Sequence, residues 1–199
     1  MKLPHLIKIT LLKEFRCLPK DLTIEFKPIT VLVGDQGCGK SSLLKLLQEN
    51  DDTYIDVQIT EAVRVMGIDT YFFDTEKMNP RVRDIDDYTD LQGNSTGLST
   101  GEFVIAKFKS HGEVLKQFTV DMIGKGKNCV LFVDEPEAAL SPKNQYTLIK
   151  ALEKAVSNNC QIIIATHCVP IINHFEQVYD MEAKSWVNSK EYLNKISNE

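Results

Sequence analysis

Eight consecutive residues, Gly34-Asp35-Gln36-Gly37-Cys38-Gly39-Lys40-Ser41, carry the most specific chemistry in the sequence. The pattern G-x-x-x-x-G-K-S describes a loop whose glycines let backbone N–H groups converge on phosphate oxygens. Lys40 supplies a cation for the terminal phosphates, and a helix starting near it adds the positive end of its dipole. Ser41 carries the hydroxyl that such a loop offers to Mg²⁺, and Ser42 belongs to the same set of contacts. The flanks fit, because an apolar run, Ile29 to Val33, precedes the loop and a segment with Leu43, Leu44, Leu46 and Leu47 on one helical face follows it. The implied chemistry is binding of ATP with Mg²⁺.

A second group of carboxylates follows another apolar run. Val130-Leu131-Phe132-Val133 leads directly into Asp134-Glu135-Pro136-Glu137. An Asp at the end of a buried strand beside a phosphate loop can hold Mg²⁺, and a neighbouring carboxylate can position or deprotonate an attacking water. Asp134 and Glu135 suit those two roles. A third run, Ile162 to Ala165, ends in Thr166-His167. A His at the carboxyl end of a parallel strand lies at the crevice where such sheets bind ligands, which makes His167 a candidate γ-phosphate sensor.

The elements that must position these groups are legible in outline. Strands are expected at Leu6–Leu11, Leu22–Phe26 and Ile29–Val33, then a helix from Lys40 to Gln48. Residues 50 to 109 mix a strand at Tyr71–Phe73 with a polar stretch and read as a helical or irregular insertion, extending to about residue 122. A helix over Glu113–Ile123 precedes the strand at Val130–Val133. Helices at Lys143–Val156 and Val169–Phe175 flank the strand at Ile162–Ala165, and a strand or hairpin over Val178–Val187 leads to a short terminal helix. Alternating buried strands and helices indicate an α/β fold, a parallel core sheet with helices on both faces and an antiparallel N-terminal part. No Pro, Gly or Ser linker divides the chain, so a single domain over residues 1–199 is expected.

The composition is that of an ordinary globular chain: 199 residues, 43% hydrophobic and 26% charged. A formal charge of −5 makes the whole chain no magnet for nucleic acid or anionic membrane. The lysines at 107, 109, 125 and 127 leave room for a local basic patch. The apolar runs are far too short to span a bilayer. Lys8 and Pro4 interrupt what would have to be the apolar stretch of a secretion signal, which gives an expected cytoplasmic location. Cys17, Cys38, Cys129, Cys160 and Cys168 are odd in number and contain no C-x-x-C, so free thiols are expected.

Taken together, the G-x-x-x-x-G-K-S loop, the D-E-P-E strand end, Ala139-Leu140-Ser141-Pro142 and Thr166-His167 resemble an ABC-type ATPase domain over most of the chain. The continuation through Glu137 into A-A-L-S-P is most similar to the soluble branch that includes SMC, RecF and OLD-family ATPases. The opening, Leu11-Leu12-Lys13-Glu14-Phe15-Arg16 followed by Ile24 to Gly34, resembles that branch as well, and the resemblance places Arg16 near the nucleotide. It further implies a signature segment that caps the phosphate loop of a second copy. Two segments qualify, Leu98-Ser99-Thr100-Gly101-Glu102 by its letters and Lys109-Ser110-His111-Gly112-Glu113 by its spacing. From Lys109 to Asp134 is 25 positions and from Leu98 it is 36, and one helix plus a turn fills the shorter gap. The distance to the acidic Asp that the resemblance implies therefore favours Ser110, Gly112 and Glu113. The family's Mg²⁺-sensing glutamine has two candidate positions, Gln58 and the stretch Asp74-Thr75-Glu76.

The resemblance implies an ATP-dependent homodimer whose closure switches a separate effector protein or acts on DNA, with no membrane partner. An energy-coupling subunit of a membrane transporter is the alternative. A small-molecule kinase would share the phosphate loop but would not explain D-E-P-E and Thr166-His167 together.

Overall fold

In the strand Ile29–Val33 (β3), alternate side chains enter opposite cores, as a strand buried on both faces requires. Val31 and Val33 join one apolar cluster, and Leu32 joins the other. The same alternation holds in Cys129–Asp134 (β6) and Cys160–Ala165 (β7). Leu131, Val133, Ile162 and Ile164 face one side, while Val130, Phe132 and Ile163 face the other. The computed structural model describes residues 5–49, 60–64, 68–74, 129–137, 142–157 and 159–198.

These strands form the centre of a six-stranded sheet in the order β5-β6-β7-β3-β8-β9, where β5 is Asp69–Asp74, β8 Gln177–Asp180 and β9 Ser185–Asn188. All pairings are parallel except the β8–β9 hairpin at one edge. Helix α1 (Lys40–Glu49) buries Leu43, Leu44, Leu46 and Leu47 against one face. On the other face lie α2 (Pro142–Ser157), α3 (Val169–His174) and α4 (Ser189–Ser197). They contribute Leu148, Ile149, Leu152, Ile171, Ile172 and Tyr192 to that core.

A second, antiparallel sheet, β2-β1-β4, consists of Thr23–Glu25, Leu6–Leu11 and Thr60–Arg64. Its Ile9, Leu11 and Ile24 pack with the leucines of α1. Strand β4 corrects the sequence reading, which assigned no strand between residues 50 and 70. Thr60-Glu61-Ala62-Val63-Arg64 has no apolar period of its own, and it is strand because β1 supplies its ladder. The remaining expected elements between Lys40 and Asn198 that fall on described residues match to within a residue or two. The expected helix over 113–123 lies outside the described residues.

A buried side chain bridges the two sheets. The Gln161 amide oxygen accepts from Leu6 N at 2.7 Å, and its nitrogen donates to Leu6 O at 2.8 Å and Lys27 O at 3.1 Å. The five cysteines are free, with Cys129, Cys160 and Cys168 buried. Cys129 and Cys160 are paired neighbours across β6 and β7. A hydrogen bond with the Cys129 thiol, and then burial, push the Cys160 thiol well above its usual value. No described helix is long and apolar enough to cross a membrane.

Candidate functional site

The parallel ladder brings three loops to one edge. Asp134 is level with Ala165, and Ala165 is level with Leu32, so the segments that follow β6, β7 and β3 leave the sheet side by side. This is the carboxyl edge of an open parallel sheet, where the crevice for ligands forms.

The loop after β3 bends through glycines. Gly39 has φ +103°, and a Cβ there would come within 2.5 Å of a Leu18 methyl and 3.2 Å of Cys17 Sγ. Both the backbone conformation and the close approach of the Leu18 segment exclude a side chain. Helix α1 begins at once, with Leu43 N donating to Gly39 O at 2.8 Å. The Lys40 ammonium folds back over the loop and donates to Gly34 O and Asp35 O, both at 2.9 Å. Its side chain is buried at 5% exposure, so the loop itself fixes where the positive charge sits.

Ser41 Oγ donates to Asp134 Oδ1 at 3.0 Å. This contact links residues 93 positions apart and joins the phosphate loop to the end of β6. A hydroxyl and a carboxylate side by side form the hard oxygen set that Mg²⁺ prefers, and the residues present therefore fit that ion. Glu135 follows in the left-handed region, at φ 45°, and its N–H donates to Ala165 O at 2.9 Å. A non-glycine residue there is strained, and strain of this sort concentrates at functional sites.

His167 Nε2 lies 3.7 Å from Glu135 Oε1, with both side chains nearly half exposed at the crevice. The His167 N–H donates to Glu137 Oε1 at 2.8 Å, an interaction that the sequence reading did not foresee. The D-E-P-E string was its only visible signal. Burial, with the Glu137 charge adding a smaller share, raises the Cys168 thiol above its usual value. Also unforeseen are Cys17 and Leu18 over Gly39, and Tyr192 of α4. Burial raises the Tyr192 phenol, as does the Asp180 charge, while a hydrogen bond from the Gly34 backbone opposes the shift.

Gly34, Asp35, Gln36, Gly37, Cys38, Gly39, Lys40, Ser41 and Ser42 thus form a single loop and helix start, with Asp134 at the end of β6 and Glu135 and His167 on the neighbouring loops. Arg16 lies in a turn at φ 53°, with its guanidinium 5.3 Å from the Phe15 ring centroid. Both signature candidates, 98–102 and 109–113, lie outside the described residues, as do Gln58 and Glu76.

Comparison with solved structures gives the architecture its name. The chain is similar to cbiO1 from Clostridium perfringens, part of the ABC transporter complex cbiONQ, at 16% identity and TM-score 0.53, covering 96% of this chain and 91% of that one. The fold is that of an ABC-type ATPase domain. It is also similar to MJ1267, an ATP-binding cassette of an ABC transporter, at 16% identity and TM-score 0.53, over 97% of this chain and 95% of that one. A chain of a putative metal-chelate type ABC transporter in an inward-facing conformation matches at 18% identity and TM-score 0.54, over 94% and 84%. A family profile described as an AAA ATPase domain matches residues 114–172, a span that includes Asp134, Glu135, Glu137 and His167. The profile and the ABC-type fold together support a P-loop ATPase of the ABC/AAA kind.

Proposed function

We propose that the chain binds ATP with Mg²⁺ in this crevice and hydrolyses it, and that two copies close around the nucleotide to switch a separate effector protein or to act on nucleic acid. The 3.0 Å contact between Ser41 Oγ and Asp134 Oδ1 carries the reading, because it aligns the phosphate loop with the acidic strand end. Gly34 to Ser42 would bind the phosphates through backbone N–H groups, with the Lys40 ammonium balancing their charge. Ser41 and Asp134 would hold Mg²⁺, which when bound neutralises charge developing on the phosphate oxygens. Glu135 Oε1 takes the proton of the attacking water, and His167 Nε2 donates to a terminal phosphate oxygen from the other side of the crevice. The Glu135 strain then serves to aim its carboxylate inward.

Residues 1–199 act as one unit in this reading, and Ser110, Gly112 and Glu113 of each copy cap the phosphate loop of the other. Such isologous contact closes as a two-fold dimer. The D-E-P-E-A-A-L-S-P continuation favours the soluble SMC, RecF and OLD-like branch. A second reading, an energy-coupling transporter subunit, draws on the fold shared with transporter cassettes.

The test is hydrolysis by the purified chain, with sedimentation of Glu135→Gln in MgATP. Turnover should fall about a thousandfold in that variant, while nucleotide stays bound and a dimer accumulates. Wild-type turnover by Glu135→Gln would remove the assigned role. ATP-dependent recovery of a membrane-embedded partner would favour the transporter reading.

A further inference from the structure

Among the described residues, three backbone N–H groups anchor the turn that carries His167. Thr166 N donates to Leu32 O at 3.3 Å, and Cys168 N donates to the Thr166 hydroxyl at 2.9 Å. The third, from His167 N to Glu137 Oε1 at 2.8 Å, ties the turn to the loop that carries Glu135. Of the three, this contact alone runs to a side chain of the acidic segment.

Glu137 holds this position at a cost. Its second oxygen, Oε2, is buried and has no hydrogen-bond partner among the described residues. An orphaned carboxylate oxygen is destabilising, so packing alone does not favour a glutamate here. What the side chain gains is a charge-assisted hydrogen bond to a backbone N–H, which is short and directional. Glu135 and Glu137 stand two residues apart, and Pro136 between them restricts the backbone. A bond at Glu137 therefore sets the height of the His167 main chain relative to the Glu135 carboxylate.

We propose that Glu137 is a positioning residue that clamps the His167 backbone to the acidic loop, keeping the His167 imidazole opposite the Glu135 carboxylate during turnover. The proposal rests on the ATPase reading of the crevice, although the clamp can be observed without hydrolysis. It requires an acceptor oxygen at the right reach, with no proton exchanged and no charge needed on the second oxygen. Glutamine meets that requirement, because its amide oxygen can accept from His167 N. Aspartate keeps the charge but is one methylene too short.

Three variants separate reach from charge. Glu137→Ala and Glu137→Asp should lower kcat about tenfold, with KM for MgATP changed less than about twofold. Glu137→Gln should recover most of the lost turnover. In parallel, amide hydrogen exchange at His167 should quicken in the Ala and Asp variants and stay slow in the Gln variant. If Glu137→Ala does not fold, the Asp and Gln variants carry the same comparison. Equal loss in Glu137→Gln and Glu137→Asp would mean that the carboxylate itself acts, and would overturn the clamp. Unchanged turnover and exchange in Glu137→Asp would overturn it as well. Absence of hydrolysis by the wild-type chain would count against the ATPase reading, while the exchange comparison would still decide the clamp.

Discussion

The two ends of the six-stranded sheet treat buried polar groups in opposite ways. At the amino end of β7, Gln161 is 2% exposed, and its oxygen and nitrogen make three hydrogen bonds to the backbone of β1 and Lys27. At the carboxyl end, Glu135 is held at φ 45°, the phosphate loop turns through glycines at positive φ, and Glu137 Oε2 and Tyr179 OH are buried without partners among the described residues. A buried polar group that is fully paired fixes one arrangement, whereas strained or orphaned groups persist where chemistry needs them. One end holds the molecule together, and the other gives up stability to hold a site.

This contrast can be broken at either end. The largest effect is expected for Lys40→Ala, which removes the charge at the centre of the loop. Affinity for ATP should fall more than about a hundredfold, with the melting temperature close to wild type, as calorimetry and thermal unfolding would show. A large loss of stability instead would mean that the lysine belongs to the scaffold. Next, Gln161→Ala removes the buried side-chain bonds to Leu6 N, Leu6 O and Lys27 O and should cost about 2 kcal/mol in urea unfolding. Turnover per folded molecule should hardly change. If turnover falls with stability, the two ends are not separable.

The smallest effect sharpens the comparison from the crevice side. Burial, with the Asp180 charge adding to it, pushes the Tyr179 phenol from its usual 10.0 up to about 12. The folded protein thus keeps this proton in a range where the unfolded chain loses it. Stability is therefore unaffected below pH 10 and falls as pH rises toward 12. Tyr179→Phe removes the orphaned hydroxyl and should gain about 1 kcal/mol at neutral pH. It should also lose its share of the alkaline decline. A destabilised variant would show that the hydroxyl is satisfied in solution.

How much of this could be read from the sequence depended on the range of the interactions involved. The phosphate loop is coded locally, because its glycines are needed for backbone conformation and close approach within a few residues of one another. Asp134, Glu135 and His167 were legible because each follows an apolar run that ends at the crevice. Strand β4 was not legible, since Thr60 to Arg64 gains its ladder from β1, some fifty residues earlier in the chain. Gln161 reads as a lone polar residue at the start of an apolar strand, and its partner Leu6 lies 155 positions away. Glu137 was visible as a letter in D-E-P-E, but its role depends on a bond to a residue 30 positions on.

The shared level of Asp74, Asp134, Ala165 and Leu32 across four strands bears on how this chain can vary. The loops at the carboxyl edge are aligned by main-chain ladders, which every residue type except proline can form. Substitutions in the cores therefore change how much protein is folded more than what each folded copy does. A single insertion within β6 or β7 is a different kind of change, because it moves a whole loop by one step and turns its side chains to the opposite face. Descendants of this sequence can drift widely in the letters of their strands, but the lengths of those strands must stay fixed.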